Sequence, residues 1–481
     1  MSFFVVKIPL NVSEYNYKKL ESRFEVARVF YNAILAEAKN RKLAYRNSDE
    51  FRQCKELYKK YEETEDESFK LRANELREIA RKNAGFYFRS AAKKHNMDNS
   101  VEQYGYRTIR KKGTWIAEHI DCMVANNLSL RAYTAVRRNP KAYFKRYGRD
   151  YITSVEGKNL TSPLTWQNNA VKWSKLTIPG NLVADDVKHA FVIEHSDKIR
   201  YVRLLRMRVG DKWHYYAELV CEGVPPLKKG QTLGVGRVGV DFGPSNAHYY
   251  TEHLVKGTIN LAGKLDFKQR QIRRLSRKLD RQRRANNPNN YDQKGRAIKG
   301  ARVWHHSKKE LVVLRKLRDL KRQEKAYRRN LHGQATNLLR SLGDDLRIEK
   351  LEYKKWQMNK RFSRSVTKRA PAMLVTLLKN KYLVTDGKVH EINTYKTKLS
   401  QTCPSCGNQK KKKLWERWHY CEKCGLGGDR DLVSALLAIC VNPDTDEVNF
   451  EEAKNFLARE MPTQAGEIDR GLTCDLLPTG G

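Results

Sequence analysis

Three acidic residues lie in three separate short motifs, and their types, order and surroundings suit metal chemistry. Asp241 ends an apolar, β-branched run and is followed by Phe242 and a glycine, which predicts a buried strand that delivers one carboxylate to a sheet edge. Glu349 follows Ile348 in a second predicted strand, whose alternation places these two side chains on opposite faces. Asp431 precedes an apolar stretch long enough for a packed helix, so it would lie in the first helical turn.

Three carboxylates from separate segments can hold two magnesium ions about 3.5–4 Å apart, and such a pair activates water for phosphodiester hydrolysis. The order of the acids therefore favours a metal-dependent nuclease. Any one of them alone would more often be a surface or capping residue, so the prediction rests on their combination. Two alternatives stay open at this point: Glu352 in place of Glu349, and Asp429 in place of Asp431 or as the cap of its helix.

Four cysteines form the most specific pattern in the chain. Cys403 and Cys406 make one C-x2-C pair, Cys421 and Cys424 make another, and fourteen residues separate the pairs. This spacing is typical of knuckles that place four thiolates tetrahedrally around zinc, and a site with no open position is structural. His419 lies between the pairs and is expected to be an ordinary surface residue rather than a ligand.

The remaining cysteines are scattered, and no secretory signal precedes them, so disulfides are disfavoured and a reducing compartment is expected. We therefore expect a cytoplasmic protein. These five cysteines are Cys54, Cys122, Cys221, Cys440 and Cys474.

The charge of the chain indicates the class of its partner. The 481 residues include 95 Lys and Arg against 54 Asp and Glu, a net charge of +41, and nucleic acid is the usual polyanion that balances such a charge. A membrane surface is the competing interpretation, but no apolar run is long enough to span a bilayer. The 24 Tyr and 8 Trp interleaved with the basic residues fit base stacking, although most must fill cores.

The pattern of apolar residues predicts an α/β multidomain protein. An opening strand over 3–10 is followed by a helical module over about 14–147, and β segments return between about 151 and 222. A strand is expected at Phe191–Ile193, and the Gly210-Asp211 dipeptide predicts a hairpin between two longer strands.

A basic helical hairpin is predicted between 264 and 333, with leucines at helical spacing along each arm. From Lys264 to Arg329 there are 24 Lys and Arg and six Asp and Glu, an imbalance that favours a nucleic-acid-facing surface over an ordinary solvated one. The candidate contacts are Arg270, Arg273, Arg274, Arg277, Arg281, Arg283 and Arg284 in the hairpin, and Arg203, Arg206 and Arg208 in a β segment that could present a basic face.

Four motifs together resemble those of the RuvC-type nuclease of transposon-encoded TnpB proteins and of compact type V CRISPR effectors. They are residues 239–243, 348–351, 400–407 and 429–435. The resemblance is specific across about 235–440 and loose before it. It implies that Asp241, Glu349 and Asp431 are the catalytic, magnesium-binding acids. Val433 departs from the family, which has Asn two residues after the third acid, so a polar neighbour of that acid is missing.

The resemblance implies an RNase H-like (RuvC) nuclease domain with a zinc-ribbon insertion, a helical recognition lobe and a β-barrel-like wedge domain of the oligonucleotide-binding type. The implied boundaries are a wedge domain at 1–12 and 148–224, a recognition lobe at 13–147, a linker at 225–230, the nuclease domain at 231–399, the zinc-binding insertion at 400–427, the final RuvC motif and helix at 428–442, and a partly disordered acidic tail at 443–481.

The same resemblance implies an RNA-guided DNA endonuclease. Such a protein would bind a structured guide RNA, read a short flanking motif in double-stranded target DNA and cut both strands at one site, with two magnesium ions and one structural zinc ion. One or two copies could bind each RNA. Two other functions stay open: an RNA-guided DNA-binding repressor that does not cleave, and a guide-free RNase H-like nuclease or transposase.

Overall fold

The computed structural model describes residues 2–88, 99–110, 115–147, 151–227, 233–261, 263, 265–298, 303–359, 363–413 and 415–460. Residues 461–481 of the predicted tail and residues 228–230 of the predicted linker lie outside them. The chain divides into two compact units, Met1–Pro226 and Leu227–Gly481.

Unit 1 combines helices with two small antiparallel sheets. Its elements in chain order are β1 (Phe3–Pro9), α1 (Glu14–Asn47), α2 (Asp49–Thr64), α3 (Glu67–Asn83), α4 (Val101–Arg110), α5 (Cys122–Arg138), β2 (Ser154–Lys158), β3 (Leu164–Gln167), β4 (Ala170–Trp173), β5 (Leu176–Pro179), α6 (Val187–Glu194), β6 (Ile199–Val209) and β7 (Lys212–Glu222).

The main sheet of unit 1 has the strand order β1-β7-β6-β2, and a second sheet has the order β3-β4-β5. Strand β1 alternates strictly between exposed and buried residues, so one face of it packs into the core. The predicted hairpin is confirmed: Val209 pairs with Lys212, and Gly210 between them has φ +57°.

The helices of unit 1 begin at the residues that capping chemistry favours. Ser13 accepts a hydrogen bond from the backbone N–H of Asn16 at the start of α1, and Asp121 caps α5 through Met123 and Val124. Phe24, Phe30 and other apolar residues of α1 belong to one continuous core shared with α5 and the main sheet.

The expected strand at Phe191–Ile193 is wrong, because these residues lie in helix α6. Asp186 caps this helix by accepting from the N–H of Lys188. The apolar run is only three residues long. In the helix, Phe191 packs on Phe4, with ring centroids 5.1 Å apart, and Val192 is buried. Short apolar runs do not distinguish a strand from a helix without tertiary context.

Unit 2 is built on a five-stranded sheet with helices around it. Its elements in chain order are β8 (Arg237–Phe242), β9 (Asn246–Thr251), β10 (Lys256–Asn260), α7 (Leu265–Asn286), α8 (Lys308–Leu342), β11 (Asp345–Glu349), α9 (Tyr353–Met358), α10 (Ser363–Arg369), α11 (Pro371–Val384), β12 (Lys388–Ile392), α12 (Thr394–Thr397), β13 (Trp418–Tyr420), β14 (Gly427–Asp429), α13 (Arg430–Ile439) and α14 (Phe450–Glu460).

The strand order of this sheet is β10-β9-β8-β11-β12. Strands β8, β9 and β10 form an antiparallel meander, while β11 runs parallel to both β8 and β12. Parallel neighbours are buried on both faces, and the buried centres of β8 and β11 fit this position. The short strands β13 and β14 pair separately.

The two arms of the predicted basic hairpin are the helices α7 and α8, and α8 continues to Leu342, beyond position 333. The arms pack through a narrow apolar seam that includes Ile272, Leu279, Val313 and Leu317. No helix in the described ranges is long and apolar enough to cross a membrane.

Candidate metal centre and nucleic-acid surface

Asp241 and Glu349 lie at the same edge of the unit 2 sheet. In the parallel pairing of β8 with β11, Val240 is opposite Ile348, so the next residue of each strand is one of the two acids. Because both acids follow paired residues by one position, they lie on the same face of the sheet.

Helix α13 brings the third acid to this edge. The helix packs directly on β8 at Gly239, where a Cβ atom would lie only 2.1 Å from the carbonyl oxygen of Ala435. This approach is possible because Gly239 has no side chain. Asp431 is the second residue of α13 and is 9 % exposed, so the predicted position in the first helical turn is confirmed.

Asp241 is close enough to Glu349 and Asp431 to be affected by their charges. Burial raises the pKa of Asp241 well above its ordinary value, and the negative charges of Glu349 and Asp431 raise it further. Burial also raises the pKa of Glu349 to about 7. The surrounding protein groups therefore do not fully stabilise the negative charges of Asp241 and Glu349 at this sheet edge.

Two arginines hold the carboxylate of Asp431. Arg417 donates from Nη1 to Oδ2 at 2.8 Å, and Arg430 donates from Nε and Nη2 to Oδ1 at 2.9 and 2.7 Å. The Arg430 side chain is buried, whereas the Arg417 side chain is 62 % exposed. The sequence prediction missed both; Arg430 adjoins the acid in its motif, but the position of Arg417 had no local signal.

His248 is a further neighbour that the sequence prediction missed. It pairs with Asp241 across β8 and β9, and its Nε2 lies 3.7 Å from Oδ2 of Asp431. Its Nδ1 lies 3.0 Å from the hydroxyl of Thr258. Burial lowers the pKa of His248, so its neutral form is favoured near neutral pH.

The structure separates the alternatives that the sequence left open. Asp429 is the N-cap of α13, since its Oδ1 accepts from the backbone N–H groups of Asp431 and Leu432. Glu352 is exposed and pairs with Lys355. Asp431 and Glu349 are therefore the acids of the cluster.

The clustered donors are suitable for magnesium. Hard divalent cations prefer carboxylate oxygens, and a bound cation would offset both the burial and the repulsion that raise the pKa of Asp241. Asp241, Glu349 and Asp431 could hold such ions.

The four cysteines converge as their spacing predicts. All four sulfur atoms lie within 4.8 Å of one another, with Cys403 Sγ 3.5 Å from Cys424 Sγ and Cys406 Sγ 3.5 Å from Cys421 Sγ. The cluster is compatible with a zinc ribbon, because four thiolates at such distances can surround one ion.

Each cysteine pair is closed by a matching glycine turn. Gly407 has φ +70° and donates its N–H to the carbonyl of Cys403, while Gly425 has φ +73° and donates to the carbonyl of Cys421. A positive φ is readily adopted by glycine, so both turns depend on this residue type.

The segment that contains these cysteines matches a known family. A family model described as "Cas12f1-like, TNB domain" matches residues 372–437, from α11 to within α13. This segment is therefore similar to the TNB domain of Cas12f1-like proteins. The match confirms the resemblance to compact type V CRISPR effectors that the motifs indicated. The chain matches no curated protein.

Three solved structures are similar to the chain at low identity. The Cas12f1–sgRNA–target DNA complex is 13 % identical, with 92 % of this chain and 99 % of that chain covered and a TM-score of 0.41. A CRISPR-Cas12f ternary complex is 13 % identical, covering 91 % and 87 %, with a TM-score of 0.30. The mini-RNA-guided endonuclease CRISPR-Cas_phi3 is 14 % identical, covering 57 % and 60 %, with a TM-score of 0.26.

His419 is buried, so the expectation of a surface residue is wrong. It is 2 % exposed, its Nδ1 contacts Lys412 Nζ, and burial lowers its pKa to about 4. The alternation of β13 explains the position: Trp418 and Tyr420 point outward, 65 % and 56 % exposed, and His419 between them points inward.

The predicted arginines of α7 form an open cleft of about 420 Å³. Arg270, Arg273, Arg274, Arg277 and Arg281 line it, and all five are exposed. Most of them are three or four residues apart, which places the group along one helical face.

The two arginines that follow have acidic neighbours. Arg283 Nε lies 3.1 Å from an oxygen of Glu310, and Arg284 Nε lies 2.9 Å from an oxygen of Asp280. The charges of this pair are thus partly balanced within the hairpin.

The structure does not bring Arg203, Arg206 and Arg208 together on one face. Arg206 is 4 % exposed, lies between the rings of Phe24 and Trp213, and donates to Glu21. The Arg203 side chain lies on the opposite face of β6 and pairs with two glutamates. Arg208 is half-buried and bonds to the hydroxyl of Tyr151.

Proposed function

We propose that this chain is an RNA-guided DNA endonuclease that hydrolyses phosphodiester bonds at Asp241, Glu349 and Asp431. The observation that carries the proposal is the convergence of these three acids at one sheet edge, from two parallel strands and a helix that packs on them. The Cas12f1-like TNB domain in the same unit supports it.

We assign the unit 2 sheet to an RNase H-like, RuvC-type nuclease domain. A three-stranded antiparallel meander followed by parallel strands, with a helix across the first strand, suits this fold. We assign α1–α5 to the recognition lobe over 13–147, and the main sheet of unit 1 to the wedge domain over 1–12 and 148–224. The remaining proposed boundaries are the linker 225–230, the nuclease domain 231–399, the zinc insertion 400–427, the final motif 428–442 and the tail 443–481.

When bound, two magnesium ions would polarise the scissile phosphate and lower the pKa of the attacking water. Asp241 and Glu349 present their carboxylates from rigid strand ends, which fixes the geometry of the site. Arg430 holds Asp431 from a buried position, so this acid is oriented by the protein. The exposed Arg417 guanidinium lies beside Asp431, where it can meet the negative charge of the phosphate.

The proposed partners are a guide RNA and double-stranded target DNA. The Cas12f1 structure similar to this chain contains sgRNA and target DNA, and the net charge of +41 favours binding to a polyanion. The exposed arginines of α7, at positions 270, 273, 274, 277 and 281, offer a continuous contact for a phosphate backbone.

A second basic cleft of about 810 Å³ lies between α7, α8 and α10. Lys321, Lys325, Arg328, Arg364 and Lys368 are among its lining residues. These residues extend the basic surface of unit 2.

The test begins with expression of the chain together with its native flanking DNA and sequencing of the RNA that co-purifies. One RNA species with a variable segment defines the guide, and a plasmid library carrying the matching target beside randomised flanks then reports cleavage in magnesium. We expect cleavage of a subset of flanks by the parent and by Glu352→Gln, and none by Asp241→Asn. If Asp241→Asn cleaved as well as the parent, Asp241 would not be a catalytic residue.

Target occupancy measured with the same variants separates binding from cleavage. If the parent occupies the target without strand breaks, the chain is an RNA-guided repressor. If only heterogeneous RNA co-purifies and RNA-free protein cuts branched DNA, it is a guide-free nuclease.

A further inference from the structure

Three large aromatic side chains are exposed within five residues of unit 1. Tyr143, Phe144 and Tyr147 follow α5 and are 83 %, 44 % and 78 % exposed. Single exposed aromatic residues are ordinary, but a contiguous exposed apolar group usually marks an interaction site. We call residues 143–147 the aromatic loop.

The aromatic loop is anchored to helix α1 through its backbone. The Asn32 side chain donates from Nδ2 to the carbonyl of Lys145 at 2.8 Å and accepts from the N–H of Lys145 at 2.9 Å. Arg28 donates from Nη1 to the same carbonyl at 2.6 Å. Three hydrogen bonds to one residue hold the centre of the loop in place, so its rings are displayed from a fixed backbone.

Two rings of the aromatic loop have a cation beside them. Lys39 Nζ lies 4.8 Å from the ring centroid of Phe144, and the Arg28 guanidinium lies 5.9 Å from that of Tyr147. Arg146 is a further exposed cation within the loop. Glu25, which lies on the same helix as Arg28, already forms an ion pair with Arg28. Exposed π faces beside cations match the two parts of a nucleotide, because a base stacks on a ring and its phosphate attracts a cation.

We propose that the aromatic loop is a stacking platform for unpaired nucleotides of a single-stranded nucleic acid. A duplex hides the faces of its bases, whereas an unpaired base offers a face to each ring. The platform would hold a single-stranded segment of RNA or DNA. The inference rests on the proposed nucleic-acid binding and is independent of cleavage.

The test measures binding of fluorescein-labelled oligonucleotides to the full chain by fluorescence anisotropy. The probes are single-stranded oligouridine, single-stranded oligothymidine and a blunt duplex, each about 12 nucleotides long, within the usual site size of such surfaces. Each is titrated at several salt concentrations, since the slope of log affinity against log salt reports phosphate contacts alone.

The variants separate stacking from charge and from general surface effects. Tyr143→Leu/Tyr147→Leu removes both π faces and keeps apolar side chains, while Tyr143→Phe/Tyr147→Phe keeps the rings. Tyr15→Leu is the matched control, because Tyr15 is an isolated exposed tyrosine of the same unit, 65 % exposed, with Lys19 Nζ 5.7 Å from its ring. The substituted rings are exposed, so the thermal unfolding temperature should not change.

We expect the double leucine variant to bind single strands about tenfold more weakly for each ring that stacks, with an unchanged salt slope. The phenylalanine variant and Tyr15→Leu should bind like the parent, and duplex affinity should not change. A larger loss on oligouridine than on oligothymidine would identify RNA as the source, and the reverse would identify DNA.

The proposal is overturned if the leucine variant binds single strands like the parent, as it would if the loop served a protein partner. It is also overturned if the duplex loses affinity equally, or if phenylalanine weakens binding as much as leucine. The titration is repeated with Asp241→Asn, which should bind the probes like the parent. Because these affinities do not depend on cleavage, the stacking proposal can fail or succeed separately from the cleavage proposal.

Discussion

Arg417 links the cysteine module to the carboxylate site by donating a hydrogen bond of 2.8 Å to Asp431, fourteen positions further along the chain. Its backbone carbonyl also accepts from the N–H of Arg430, 2.9 Å away. Arg417 directly precedes β13, whose partner β14 ends at Asp429, the cap of the helix that carries the third acid. The fold of the cysteine module therefore determines where this guanidinium lies.

Loss of zinc should consequently impair cleavage. Cys403→Ser removes one of the four thiolates, and metal-binding energy at such a site is folding energy. We expect lower zinc content, a lower unfolding temperature and slower target cleavage, with guide RNA binding retained by unit 1 and α7. Metal analysis, calorimetry and cleavage assays measure these effects. Cys122→Ser, at an exposed cysteine, is the control; unchanged zinc content in Cys403→Ser would contradict the ligand assignment.

The raised pKa of Glu349 predicts a stability that depends on pH in the absence of metal. The pKa rises from 4.5 to about 7 on folding, so the free energy of unfolding falls as pH rises through this interval. Below pH 4.5 Glu349 is protonated in both the folded and the unfolded state, so it does not reduce the free energy of unfolding. Above pH 7 the ionised, buried carboxylate lowers that free energy by about 3 kcal/mol.

Glu349→Gln should therefore unfold at higher denaturant than the parent at pH 8 in EDTA and show a smaller difference at pH 4.5. Magnesium should stabilise the parent more than the variant, because it binds the ionised site. Glu352→Gln, at an exposed glutamate, should lack the pH-dependent gain. Identical unfolding curves of parent and Glu349→Gln at pH 8 would show that burial does not penalise this carboxylate.

The sequence was most informative where one residue type carries the chemistry. Three motifs together predicted a group of acids, and the spacing of the cysteines predicted their convergence, because each prediction combined several residues of one ligand type. Glycine turns and strand alternation also followed from local rules, as at Gly210.

The sequence did not predict the features that depend on tertiary packing. Arg206 was predicted to lie on a basic face but is enclosed by Phe24 and Trp213, and His419 was expected outside but lies inside. Arg417 and His248 reach the acids only because β13 and β9 fold beside them. These contacts depend on how the elements pack against each other, which the residue pattern alone does not give.

Gly239 provides a test of how α13 positions Asp431. A Cβ at this residue would lie 2.1 Å from the carbonyl oxygen of Ala435, so Gly239→Ala must push α13 away from β8. We expect a loss of about 1–3 kcal/mol in the free energy of unfolding, typical of overpacking, together with reduced cleavage. Urea unfolding and cleavage assays measure both.

The matched control for that substitution is Gly333→Ala. Gly333 lies within α8, and a Cβ there would meet nothing within 4 Å. Alanine should stabilise this helix by up to about 1 kcal/mol. If both alanine variants gave the same change in stability and activity, the close approach of α13 to β8 would not be what places Asp431.

The arginine face of α7 should contribute phosphate contacts that do not depend on nucleotide sequence. Arg273→Gln/Arg277→Gln removes two exposed charges of the cleft, so binding of any RNA should weaken and the salt slope should fall by about one for each lost contact. Arg284→Gln is the control, because Asp280 already balances part of its charge. Titrations at several salt concentrations measure the slopes, and equal slopes for the parent and the double variant would show that the backbone of the nucleic acid lies elsewhere.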